Sequence, residues 1–119
     1  MSRTSALSKF IEQQQALMEG LVKTFPDEEQ LKTALAKSRK LSRLSPKSCL
    51  SVFAENVVPY RQWIERHDEL VFENESLRNN PFFQMLNISS IWKGASVETR
   101  TNLILHLCSL LETYDAYVK

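Results

Sequence analysis

Two glycines in 119 residues set the tightest constraint on what this chain can fold into. β-Hairpins and phosphate-cradling loops need backbone at positive φ, which glycine adopts without steric cost. With only four prolines as further punctuation, the chain carries little of the turn chemistry of a β protein and favours a mostly helical domain. A length of 119 residues is close to the usual size of one domain, so residues 1–119 are read as a single helical domain with one core. Hydrophobic residues make up 43% and charged residues 24%, which excludes intrinsic disorder.

Apolar spacing places the helices. Phe10, Leu17 and Leu21 share one face of a first helix over 5–24, opposite the polar run Glu12 to Gln15, and Pro26 ends it. Asp27 is the expected N-cap of a second helix from about Glu28 to Leu41, with acids in its first turn. Leu31, Ala34, Leu35, Ser38 and Leu41 form its inward stripe. Ser45-Pro46 opens a third helix. Its period runs through Leu50, Phe53 and Val57 and resumes at Trp63 and Ile64, so Pro59 is expected to kink it. Residues 73–80, rich in asparagine, read as a loop. A short helix over 81–86 follows, then Trp92 as a core anchor and a stop at Gly94. Ser96 caps a last helix whose buried face is Leu103, Leu107, Leu110 and Tyr114. The expected fold is all-α, a compact bundle of four to six helices.

Charge is segregated along the chain. The net charge is +1, which disfavours a uniformly basic nucleic-acid coat. Yet between Gln30 and Lys47 there are six cations, Lys32, Lys37, Arg39, Lys40, Arg43 and Lys47, and no acid. Lys32, Arg39 and Arg43, at i, i+7 and i+11, line up along one helix face, a geometry suited to phosphate or to an acidic protein. These six are the candidate interaction residues. No aromatics interleave with them to stack bases, and no helix-turn-helix or zinc-finger pattern accompanies them. The converse stretch, Glu65 to Glu75, carries five acids against one cation, Arg66. The two patches suit pairing within one chain or head-to-tail between chains.

Catalytic and metal chemistry find little support. Cys49 and Cys108 lack metal-ligand or C-x-x-C spacing and read as small core hydrophobes. His67-Asp68-Glu69 resembles an acid–base cluster, but helix neighbours point apart and no nucleophile or oxyanion loop accompanies them. The aromatics Phe82, Phe83, Trp92, Tyr114 and Tyr117 have core spacing rather than that of a ligand pocket. No catalytic residue, cofactor or metal is therefore expected. Ser42 and Ser45 lie in short patterns suited to a kinase, and Asn74-Glu-Ser76 and Asn87-Ile-Ser89 match the glycosylation pattern by chance. Met1 to Lys9 holds no apolar signal core, and the apolar run from Leu103 to Leu111 is about half a membrane span. An intracellular protein with no membrane contact is expected.

The run Cys49 to Phe53, Val57-Val58-Pro59-Tyr60, the acidic His67-Asp68-Glu69, then Ile91-Trp92 and Leu103, Leu107, Leu110 and Leu111 resembles small helical proteins of nucleocytoplasmic large DNA viruses. The resemblance spans residues 45–117. It implies a non-enzymatic virion component or a factor of the infected-cell cytoplasm, and carries no catalytic residues. The residues and the resemblance together lead to a protein-interaction or structural module that docks through the basic helix, alone or as a homo-oligomer. The alternative is a nucleic-acid-binding accessory protein using segment 32–47.

Overall fold

The computed structural model describes residues 2–119. The all-α expectation holds, with no strand among the described residues. Helix α1 spans Arg3–Thr24, its first turn capped by Ser2, whose Oγ accepts from the Ser5 amide at 3.1 Å. Helix α2 spans Glu29–Leu44 and α3 spans Pro46–Asn56. The N-cap of α2 is Glu28 rather than Asp27; its carboxylate instead accepts from Asn87 Nδ2 at 2.9 Å, tying the turn to a distant segment. Polar contacts pair α1 with α2 antiparallel: Gln15 Nε2 donates to Ser42 Oγ at 2.8 Å, while Glu19, one turn on in α1, meets Arg39, one turn back in α2, at 2.7 Å; between the helices Gln14 Nε2 also donates to Ser38 Oγ at 3.1 Å.

Pro59 does what its chemistry demands. It lacks an amide proton and its ring crowds the carbonyl four residues back, so α3 stops at Asn56 and a 3₁₀ turn covers Val58–Tyr60. Helix α4, Arg61–Glu65, continues beyond the bend. It ends in a Schellman motif: the Asp68 amide bonds the Trp63 carbonyl and the His67 amide bonds the Ile64 carbonyl, both at 3.0 Å. His67 occupies the left-handed position at φ 57°, where glycine is usual. His67→Gly is therefore expected to stabilise the fold by about 1 kcal/mol, read as a higher urea midpoint with an unchanged m-value.

Residues 69–91 are a chain of single turns. A 3₁₀ turn over Glu69–Glu73 is followed by α5, Glu75–Arg78, α6, Pro81–Met85, and α7, Ile88–Ile91. The loop expected over 73–80 is thus corrected. Its asparagines act as caps: Asn74 Oδ1 accepts from the Ser76 and Leu77 amides, and Asn80 Oδ1 from that of Phe83. Each turn buries apolar side chains, namely Val71 and Phe72, Leu77, Phe82 and Phe83, then Ile88 and Ile91. Helix α8, Val97–Val118, is capped by Ser96, whose Oγ accepts from the Thr99 amide at 3.1 Å. It runs antiparallel to α1, since Arg3 Nε reaches the Tyr117 carbonyl at 3.1 Å while Thr24 and Thr99 share a hollow at the other end.

The core is one continuous cluster with two aromatic nodes. In one, Phe53 meets Phe10 and Phe82 edge-on at 5.1 and 5.5 Å between ring centroids. In the other, Phe72 stacks on Trp92 at 4.4 Å and meets Phe83 at 6.0 Å. Phe82 and Phe83, adjacent on α6, join the nodes at 5.4 Å. The aromatics of the sequence reading are accordingly core, with Tyr114 and Tyr117 packed at its edge.

Candidate functional site

The six cations of the 32–47 segment do not form one uniform face. Lys32 Nζ pairs with Glu29 Oε1 at 3.3 Å, and Arg39 Nη2 with Glu19 Oε1 of α1 at 2.7 Å. Two of the three residues aligned at i, i+7 and i+11 are thus spoken for. Lys37, Lys40, Arg43 and Lys47 are exposed and make no ion pair among the described residues.

Leu41 corrects the expected inward stripe. Leu31, Ala34, Leu35 and Ser38 are buried, but Leu41 is 39% exposed and Leu44 is 74% exposed. The last buried residue of α2 is Ser38, and the helix runs on to Leu44, three residues beyond the expected end at Leu41, with both leucines off the core. Lys37, Lys40, Leu41 and Leu44 fall at i, i+3, i+4 and i+7, one contiguous stripe with both apolar and cationic character. Leu44, seven residues after Lys37, is legible in that spacing once the helix extends past Leu41.

Next to this stripe, α1, α2, α3 and α6 line an open cleft of about 130 Å³ bordered by Gln14, Lys37, Leu41, Cys49, Phe82 and Met85, among others. Lys37 and Met85 also border a second hollow of about 280 Å³ further along α2. Gln14 is 4% exposed, and its Oε1 is buried with no hydrogen-bond partner among the described residues. Ser42 is half-buried, accepting from Gln15 and donating to the Arg39 carbonyl at 2.9 Å. A phosphate there would break the α1–α2 contact as well as reduce the positive charge.

Burial pushes the Cys49 thiol above its ordinary range, and Cys108 is raised by burial and then by Glu65 and Glu112. Both are free thiols. The folded chain holds these protons more tightly than the unfolded chain does. Stability from this source is whole below the ordinary thiol range and is lost as pH rises through it. The urea midpoint is expected to stay flat up to about pH 8 and to fall above about pH 9, and Cys49→Ala should reduce that fall.

The acidic stretch is spent differently. Glu65 Oε1 accepts from Arg61 Nε at 2.9 Å, and Arg61 Nη2 also reaches Asp115 Oδ2 at 2.6 Å. Asp68 Oδ1 caps its own 3₁₀ turn through the Leu70 amide. No ion pair among the described residues joins this stretch to α2, so the two patches are not neutralised by one another within the chain. His67 is exposed, and His67 and Asp68 are accounted for by helix termination and capping. No three metal-ligating side chains converge among the described residues, and no helix is long and apolar enough to cross a membrane. No protein family, curated protein or solved structure matches the chain.

Proposed function

We propose that this chain is a non-enzymatic interaction module that docks an acidic protein surface on the outer stripe of α2. The observation that carries the reading is the juxtaposition of Leu41 and Leu44, exposed, with Lys37, Lys40 and Arg43, which have no acidic partner among the described residues. Exposed leucines give a contact its buried area, while rim cations set its register and encounter rate. The Ser45-Pro46 break leaves Lys47 at the start of α3, extending the cationic rim past the end of α2. The virion or infected-cell role implied by the resemblance over 45–117 belongs to this same proposal.

The test is co-purification from the native source with the intact chain and with Lys40→Glu/Arg43→Glu. Loss of the partner with the variant supports this surface; a retained partner rejects it. Leu44→Asp should weaken the same complex, with stability changed by no more than about 0.5 kcal/mol.

The second reading is nucleic-acid binding. It is favoured by the unpaired cations and disfavoured by the net charge of +1 and by the leucines among them. Each phosphate neutralised would contribute a salt slope of about 0.9. Binding to arbitrary DNA at low salt, lost on reversing Lys40 and Arg43, would establish it. No binding at low salt would eliminate it.

A further inference from the structure

The two most exposed leucines of the chain lie in surface patches of opposite charge. On α2, Leu44 is 74% exposed, among the cations Lys40 and Arg43. Beyond the Pro59 bend, Leu70 of the 3₁₀ turn is 71% exposed, between Asp68 and Glu69 on one side and Glu73 on the other. Leu70 borders an open hollow of about 200 Å³ together with Asp68, Tyr60 and the half-exposed Trp63, whose ring lies 6.2 Å from that of Tyr60. Asp68, Glu69 and Glu73 make no ion pair among the described residues, and Asp68 engages only Oδ1, on the Leu70 amide at 3.1 Å. Each patch is thus an apolar centre with a charged rim, and the rims have opposite signs. No ion pair among the described residues joins them within one chain.

We infer that the acidic surface on which α2 docks is the 60–74 face of a second copy of this chain. Leu44 of one copy seats in the hollow against Trp63 and Leu70 of the other, and Lys40 and Arg43 reach Asp68 and Glu69. Lys40 stands one turn before Leu44 on α2 and Arg43 next to it, so cations flank this leucine as acids flank Leu70. Apolar burial holds the contact, while the opposed charges fix its register and raise the rate of encounter. The same charges set α2 against α2, and the acidic face against its own kind, so only unlike patches pair. Copies therefore join as a reciprocal pair or head to tail. Patches of this extent bury less than about 1,200 Å² in total, the range of transient contacts, and assembly depends on concentration and salt. The inference rests on the docking reading of α2 and names its partner.

Analytical ultracentrifugation of the intact protein at low salt, up to about 1 mM, tests it. The average mass should rise with concentration, and association should weaken at least about threefold as salt approaches about 1 M, where charges are screened within about 3 Å. Trp63 reports the docked side, because the other tryptophan, Trp92, is buried; its emission should move to the blue as copies associate. Leu44→Asp and Leu70→Asp, both outside the core, should each weaken self-association by about tenfold or more. Mixed, the two variants should pair one to one, since the Leu70→Asp chain keeps an intact α2 and the Leu44→Asp chain an intact 60–74 face. That pairing also shows that both variants are folded. A chain that stays monomeric at about 1 mM, self-association undiminished in Leu70→Asp, or a mixture that does not pair overturns the inference. A monomeric chain that still loses its co-purified partner in Lys40→Glu/Arg43→Glu overturns only the second copy as partner and leaves the docking surface standing. Self-association and co-purification both undiminished in that variant overturn the inference and the docking reading together.

Discussion

Phe53→Ala is expected to cost about 3–5 kcal/mol and to lower the melting temperature by on the order of 15 °C. Phe53 is fully buried on α3 and is the point where three ring contacts meet: Phe10 of α1 at 5.1 Å, Phe82 of α6 at 5.5 Å and Tyr114 of α8 at 6.3 Å. Removing it deletes the hub of four helices at once, and the surrounding backbone cannot close in from all sides. The edge-on geometry adds to the loss, since each such pair contributes about 0.5–1.5 kcal/mol beyond area burial. A domain of this size has only about 5–15 kcal/mol in total, so the variant should unfold at low denaturant. Urea unfolding followed by circular dichroism measures it. A loss below about 1.5 kcal/mol would mean that the ring is not the hub. Phe53→Leu, which keeps most of the volume, should recover more than half of the loss.

The long helices were legible in the sequence because each carries its own periodic stripe and its own stop. Phe10, Leu17 and Leu21 define α1, Leu103, Leu107 and Leu110 define α8, and both proved buried. Pro59 was legible for the same reason, since its missing donor acts locally whatever surrounds it. Residues 69–91 were harder, because turns of four or five residues are too short to display a period. There the signal was the aspartate or asparagine ahead of each turn, Asp68, Asn74, Asn80 and Asn87. In the sequence Asn74 and Asn80 read as loop residues and in the fold they are caps, two roles that rest on the same side-chain oxygen chemistry.

The site was legible in part. Position along the chain identified the cations, but not which of them find acids, because Glu19 meets Arg39 only after α1 and α2 fold together. Leu41 was misplaced for a related reason. A stripe extended by period alone does not reveal where a helix leaves the core, and Leu41 lies where α2 does so, at 39% exposure. The unpaired oxygen of Gln14 could not be read at all, since it depends on which of several polar groups α2 places opposite α1.

Trp92→Ala is expected to cost about 3–5 kcal/mol, and its effect should be concentrated in residues 69–95. Trp92 stacks on Phe72 at 4.4 Å from one side, and the Arg100 guanidinium lies 4.7 Å from its ring centroid. Arg100 Nε and Nη2 also donate to the Trp92 carbonyl, at 3.0 and 2.7 Å, so one residue of α8 holds both the ring and the backbone of the turn before it. The single-turn helices that this clamp secures have too few internal hydrogen bonds to persist alone. Their order derives from packing on the core. Without the indole, amide exchange should therefore accelerate across 69–95 well before it does in the middle of α1 and α8. Arg100→Met should show the same pattern at a smaller cost, about 1.5–3 kcal/mol, the range for losing a hydrogen bond to a charged group, because the Ala95 amide still donates to the Trp92 carbonyl at 3.2 Å. In a double-mutant cycle the two substitutions should couple by at least 0.5 kcal/mol, as contacting residues do. Exchange that accelerates equally throughout the chain would show instead that 69–95 unfolds only with the whole, and that the clamp secures the entire bundle.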